Sequence, residues 1–193
     1  MLTRIAELTG KTTEALADPV YLEEVVADLW FSGVELAPLI DAPPSVVSPQ
    51  VWIGGQHWKR CLVTTSELNA WGHAPAHERS GTSPGPAHPA IGVSLEQARA
   101  YAADHGGRLP NLAEWRAATL QSAAGNHGLF WGSPSATGAF PATRTGLLDG
   151  WGNAWEWTQE GVVVGGSFAS PALPPPREGA RLIGFRMIFE PAG

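Results

Sequence analysis

The sequence predicts an α+β fold: two core helices, short strands and long loops, with a small N-terminal helical extension. Three observations carry this. Residues 1 to 40 show helical apolar spacing, two capping boxes open helices in mid-chain, and from Val51 the remainder is short apolar runs broken by Gly and Pro. With 23 Gly and 17 Pro in 193 residues and 16% charged residues, the chain is built for turns more than for long regular elements. Its 9 Trp supply large apolar bodies that hold together a core without long helices.

In chain order, Ile5 and Leu8 suggest a short first helix. Asp18-Pro19 is a second helix start, with Asp18 as cap and Pro19 at the first helical position. Leu22, Val25, Val26 and Leu29 give that helix one apolar face, and Ser32-Gly33 ends it. Asp41 to Ser45 reads as a linker, dividing the chain into an extension over 1–45 and a domain over 46–193. His73 to Pro89 is too rich in breakers for a strand and reads as a long surface loop. Ser94-Leu95-Glu96-Gln97 is a capping box whose helix buries Leu95, Ala98, Tyr101 and Ala102. Asn111-Leu112-Ala113-Glu114 is another, opening a helix with Trp115 and Ala118 inside. Strand candidates lie at Gly161 to Phe168 and Leu182 to Phe189, and no internal repeat is found.

Composition excludes some functions. No run approaches the roughly 18 apolar residues of a membrane span. No apolar run follows the basic residues between Met1 and Lys11, so no signal peptide is expected and the location is expected to be cytoplasmic. A net charge of −6 argues against nucleic acid or an anionic membrane surface as partner. The single cysteine, Cys61, permits neither an intramolecular disulfide nor a thiolate-rich metal site, and is expected to be an inert small hydrophobe in a strand. Arg108 and Arg186 sit beside apolar residues, which suits guanidinium groups paired with Glu114 or Glu156 and holding the fold together. On an extended segment Trp155 and Trp157 share one face and Glu156 takes the other.

An ordered set of segments resembles the formylglycine-generating-enzyme (sulfatase-modifying-factor) family. Leu62-Val63-Thr64-Thr65 is similar to the step that opens its domain, and Ile91 to Ala117 to its helix, Arg-Leu-Pro turn and next helix. Phe130-Trp131-Gly132 resembles its Pro-Trp-Gly element, and Gly146 to Trp157 (GLLDGWGNAWEW) its Gly-Asn-x-Trp-Glu-Trp string. Gly165-Gly166-Ser167-Phe168 and Gly184-Phe185-Arg186 match its closing motifs. The resemblance implies an irregular C-type-lectin-like fold with short antiparallel strands.

It also implies a structural calcium site held by the side chains of Asp149 and Glu156 and the carbonyls of Gly152 and Ala154. Asp149 stands where the family has Asn. The alternative is a hydrogen-bonded turn with Glu156 paired to an arginine. A second family calcium site is not expected, because the segment from Gly132 to Phe140 is too short.

The family's enzymes oxidise a substrate cysteine with copper held by two thiolates, and those positions fall on Ser170 and Pro175. Soft Cu(I) needs soft ligands, so no copper is expected and neither is the family's oxidase activity. Iron sulfoxide synthases carry a related domain with a His-rich motif, to which His73, His77, Glu78 and His88 bear a superficial likeness. Pro75 disfavours the helix that would align those imidazoles, and loop histidines in solvent are expected. No Gly-x-Ser-x-Gly elbow surrounds Ser167.

The first functional expectation is a non-catalytic binding module for a protein or small-molecule ligand. Its contact loops are His73 to Pro89, Phe130 to Phe140 and Ser170 to Arg177, with Trp71 and Phe140 as anchors and His73, His77, His88, Ser170 and Arg177 as polar contacts. The second is a metal-dependent oxidoreductase using the loop histidines. The third is a structural or receptor-binding protein, either diversified by a retroelement or a homo-oligomer joined through Leu22, Val26 and Leu29 of the N-terminal helix.

Overall fold

The computed structural model describes residues 1–38, 48–72, 85–120, 125–171, 174, 176–177 and 181–191. The α+β class holds. Helices are α1 (Leu2–Thr9), α2 (Pro19–Phe31), α3 (Thr65–Ala70), α4 (Leu95–Asp104) and α5 (Leu112–Thr119). Strands are β1 (Gln50–Ile53), β2 (Gln56–Lys59), β3 (Gly107–Arg108), β4 (Trp155–Trp157), β5 (Val163–Val164), β6 (Ile183–Gly184) and β7 (Ile188–Phe189). They form a four-stranded sheet in the order β1-β2-β7-β3 and a three-stranded sheet in the order β5-β4-β6.

Helix starts follow their caps. Asp18 accepts hydrogen bonds from the Val20 and Tyr21 N–H groups, and the boxes at Ser94/Gln97 and Asn111/Glu114 are both closed. A third box, Thr64/Glu67, opens α3. The strands are shorter than their apolar runs, and one pairing departs from the expected antiparallel pattern: β4 runs parallel to β6. The run from Leu182 to Phe189 divides between the two sheets, because Phe185 and Met187 turn into the apolar core and Arg186 into a buried ion pair. Cys61 lies just beyond β2 and not in a strand.

The phase of α2 differs from its expected apolar face. Glu23, Val25, Val26, Ala27 and Trp30 are the buried residues, whereas Leu22 and Leu29 are half-buried at its flank. They join Ile5 and Leu16 in one cluster with Leu62, Ile91, Phe168 and Leu182 of the domain. Full burial of an aliphatic side chain such as Val26 or Ile5 contributes about 1.5–3 kcal/mol, so the extension is bound to the domain by its core. The face offered to an oligomeric partner is thus used within the chain. The linker Asp41 to Ser45 lies outside the described residues. No described helix is long and apolar enough to cross a membrane.

Candidate functional site

The loop before β4 is bent by three left-handed residues, Asp149 (φ 52°), Gly152 (φ 76°) and Asn153 (φ 67°). Asp and Asn tolerate that conformation through local hydrogen bonds. At residue 152 only glycine fits, since a Cβ would lie 2.0 Å from the Asn126 carbonyl oxygen. Asn153 is fixed by its amide, which accepts from the Ser135 N–H at 2.8 Å and donates to the Ser135 carbonyl at 3.0 Å. This bend delivers Trp155 and Glu156 to opposite faces of β4.

On one face, Glu156 receives Arg186 through two parallel bonds, from Nε at 2.6 Å and Nη2 at 2.7 Å, and Trp115 Nε1 at 3.1 Å. Nη1 also donates to the Arg60 carbonyl, and Nη2 to the carbonyls of Leu148 and Asp149. Both side chains are essentially inaccessible, at 0% and 1% exposure. Such burial is tolerated because the charges are paired and every guanidinium nitrogen donates at least one hydrogen bond. Asp149 lies beside this pair with one oxygen accepting from the Gly138 N–H at 2.7 Å. Its other oxygen, Oδ1, has no hydrogen-bond partner among the described residues. Burial pushes its carboxyl up to about 6, against the lowering influence of the Gly138 N–H and Arg186.

On the other face, Trp155 meets a carboxylate that comes from the N-terminal extension. Glu23 of α2 accepts from Trp155 Nε1, from Ser167 Oγ at 2.7 Å and from Arg177 Nη2 at 2.8 Å. Ser170 closes the back of this pocket: its Oγ accepts from the Ser167 N–H at 2.9 Å and lies 3.2 Å from Ser167 Oγ. The Arg177 guanidinium stacks on the Trp155 ring, 5.1 Å from its centroid. Gly166 is required here, since a Cβ would press on Pro174 at 2.6 Å.

The expected contact residues divide sharply. Ser170 is buried and Arg177 is turned inward, so neither forms an open loop surface. Buried His88 does not match the expected solvent histidine, because its carbonyl is drawn in by the Thr65 N–H where the loop meets α3. His73, His77 and Pro175 lie outside the described residues. Among the described residues no three His, Cys, Asp or Glu side chains gather as a metal-ligand set. Trp71 is half-buried, donating to Asp104 at 2.9 Å and packing edge-on to Tyr101. Phe140 is half-buried against Trp131. Phe130 (79% exposed) and Trp131 (45% exposed) present the open aromatic surface that Phe140 was expected to provide. Cys61 holds its proton tightly, since burial and then Asp149 raise its pKa. Sequence reasoning missed Glu23, although a carboxylate followed at i+3, i+4 and i+7 by Val26, Ala27 and Trp30 was a visible sign.

Short strands in two small sheets, capped helices and a tightly bent loop before β4 define an α+β domain of the C-type-lectin-like kind. The family described as "Sulfatase-modifying factor enzyme 1-like domain" matches residues 50–188, and the chain belongs to it. It is 31% identical over 134 residues to a formylglycine-generating enzyme of Mycobacterium tuberculosis, covering 55% of this chain and 40% of that protein. It is 28% identical over 183 residues to that of Streptomyces coelicolor, covering 79% and 51% respectively. The chain therefore spans about half or less of these relatives. Among solved structures it is similar to Treponema denticola variable protein 1, with a TM-score of 0.58 and 15% identity over 77% of this chain and 94% of that one.

Proposed function

We propose that this chain is a non-catalytic binding module on the formylglycine-generating-enzyme scaffold. The carrying observation is the pocket behind Trp155. Ser170, onto which the resemblance carries one copper thiolate, is a buried hydroxyl bonded to Ser167, and Glu23 is seated against that same Ser167. The chain has one cysteine, Cys61, which is not part of this pocket. Phe130 and Trp131 offer the apolar anchors that protein interfaces favour.

The test is turnover. The full chain, supplied with Cu(I) and oxygen, is expected to leave a cysteine-containing sulfatase peptide unchanged in mass and to bind no stoichiometric copper. Conversion of the cysteine to the aldehyde would overturn the reading.

Calcium belongs to the same proposal as a structural ion. The donor set fits a hard cation in part: Asp149 Oδ1 is buried and free of hydrogen-bond partners among the described residues, whereas Glu156 already answers Arg186. Asp149, Glu156 and the carbonyls of Gly152 and Ala154 would hold the ion, which supplies positive charge that ties the loop to β4. Calcium is expected to raise the thermal midpoint, by about 2.7 kcal/mol of stability at a hundredfold excess over its Kd. Asp149→Ala is expected to abolish the response. An equal response in that variant would remove Asp149 from the site.

A further inference from the structure

The three side chains that receive Glu23 are each also held by contacts outside α2. Trp155 is set by the pairing of β4 with β6, where it lies opposite Ile183. Ser167 is set by its backbone bond to Ser170 Oγ and by its own Oγ accepting from the Ala169 N–H at 3.2 Å. Arg177 is set by two backbone bonds to Val163, at 3.1 and 3.2 Å, and by stacking on Trp155. Three donors (a guanidinium, a hydroxyl and an indole N–H) therefore converge on Glu23, each with a further anchor outside α2. Donors of this kind, held in a largely buried pocket, are complementary to a carboxylate.

Glu23 does not use the pocket fully. Arg186 grips Glu156 with Nε and Nη2, the two donors of one guanidinium edge. Arg177 offers the same edge, yet only Nη2 reaches Glu23, and its buried Nε has no hydrogen-bond partner among the described residues. A tethered carboxylate on a rigid helix takes half of the fork. A carboxylate arriving on an independent backbone can take both prongs, and bidentate contact is the stronger geometry.

We propose that Arg177, Ser167 and Trp155 form a carboxylate-recognition site, that Glu23 is its resident internal ligand, and that the external ligand is an amphipathic helix of a partner protein presenting a glutamate on its apolar face. This rests on the binding-module reading and gives that module a ligand class. The helix is specified by α2 itself, which lays Glu23 with Val26, Ala27 and Trp30 against Leu62, Ile91, Phe168 and Leu182. That is helix-in-groove recognition satisfied within one chain. Binding of the partner helix requires α2 to lift, so α2 controls access.

The experiment has two arms on the full chain. In the first, Glu23→Ala removes what amounts to one acetate from the pocket. Sodium acetate is expected to raise the thermal midpoint of this variant saturably, by a few degrees. Sodium chloride at equal ionic strength should not do so, nor should acetate with the Glu23→Ala/Arg177→Met double variant. An acetate response that survives loss of Arg177 would overturn the site. In the second arm, amide hydrogen exchange is followed across α2 and β4 in the wild type and in Glu23→Gln, which keeps the side chain's size if the alanine variant fails to fold. A synthetic peptide with the sequence of residues 18–32 serves as the competing helix. The α2 amides are expected to exchange at least about tenfold faster than those of β4, and faster again with the peptide or in Glu23→Gln. Exchange of α2 only together with β4 would make the helix a permanent part of the core and sink the proposal. Neither arm depends on copper or aldehyde formation, so a failure here is separable from a failure of the non-catalytic reading.

Discussion

Two carboxylates in this molecule are answered by the same chemical unit, a guanidinium and an indole N–H. Glu156 takes Arg186 and Trp115; Glu23 takes Arg177 and Trp155. The first acid arrives from a strand of the domain, 30 positions from its arginine, and its fork is closed. The second arrives from a helix before the domain, 154 positions away, and its fork is half closed. The contrast separates two uses of one motif. In the first the pair is a strut between elements that must meet for the domain to exist. In the second it is a contact between the family-matched region and a helix that precedes it and shares its core.

Burial orders the expected costs. Arg186→Met leaves Glu156 enclosed without its partner, and removing one partner of such a pair costs about 3–5 kcal/mol. A urea denaturation midpoint with an unchanged m value would read it. A loss below about 1 kcal/mol would mean that Glu156 finds another partner, and would dissolve the distinction between the two pairs. Arg177→Met is expected to cost less, about 1–3 kcal/mol, because the Arg177 side chain is 20% exposed and Ser167 and Trp155 still serve Glu23. The loss should also be local, appearing as faster amide exchange in α2 before the sheets are affected. An Arg177→Met loss matching that of Arg186→Met would make α2 as integral to the fold as β4.

The same contrast explains what could be read in advance. The boxes at Ser94 and Asn111, the cap at Asp18 and the pairing of Arg108 with Glu114 are local, so spacing alone exposes them. The Glu156–Arg186 pair spans further but joins two recognisable motifs. Glu23 had no such help. Its partners lie 132, 144 and 154 positions away, and α2 precedes the region that the family match covers. The apolar residues of α2 are nearly continuous from Val20 to Trp30, interrupted by acids, so periodicity admits two phases. The phase centred on Leu22 and Leu29 misses the inward acid. Burial of Ser170 and His88 was equally hidden, since a turn-rich polar segment reads as surface until a neighbouring element covers it.

A third pair extends the comparison to the surface. Arg108 grips Glu114 with Nη1 at 2.8 Å and Nη2 at 2.7 Å, but the side chains are 31% and 21% exposed. Arg108 holds the Glu114 carboxyl down at about 2, well below its ordinary 4.5, with the Asn111 N–H and Gln56 helping. A depressed folded-state value means stability that is present above pH 4.5 and is lost as the pH falls towards about 2. Glu114→Gln keeps a capping side chain for Asn111 and removes only the charge. It is therefore expected to cost about 0.2–1 kcal/mol near neutrality, the range of water-accessible ion pairs. Stability curves of wild type and variant should run parallel above pH 4.5 and converge towards pH 2. Curves that stay parallel down to pH 2 would show that the guanidinium contributes no charge-dependent stabilisation there. The gradient from the enclosed pair to the exposed one would then be steeper than burial alone accounts for.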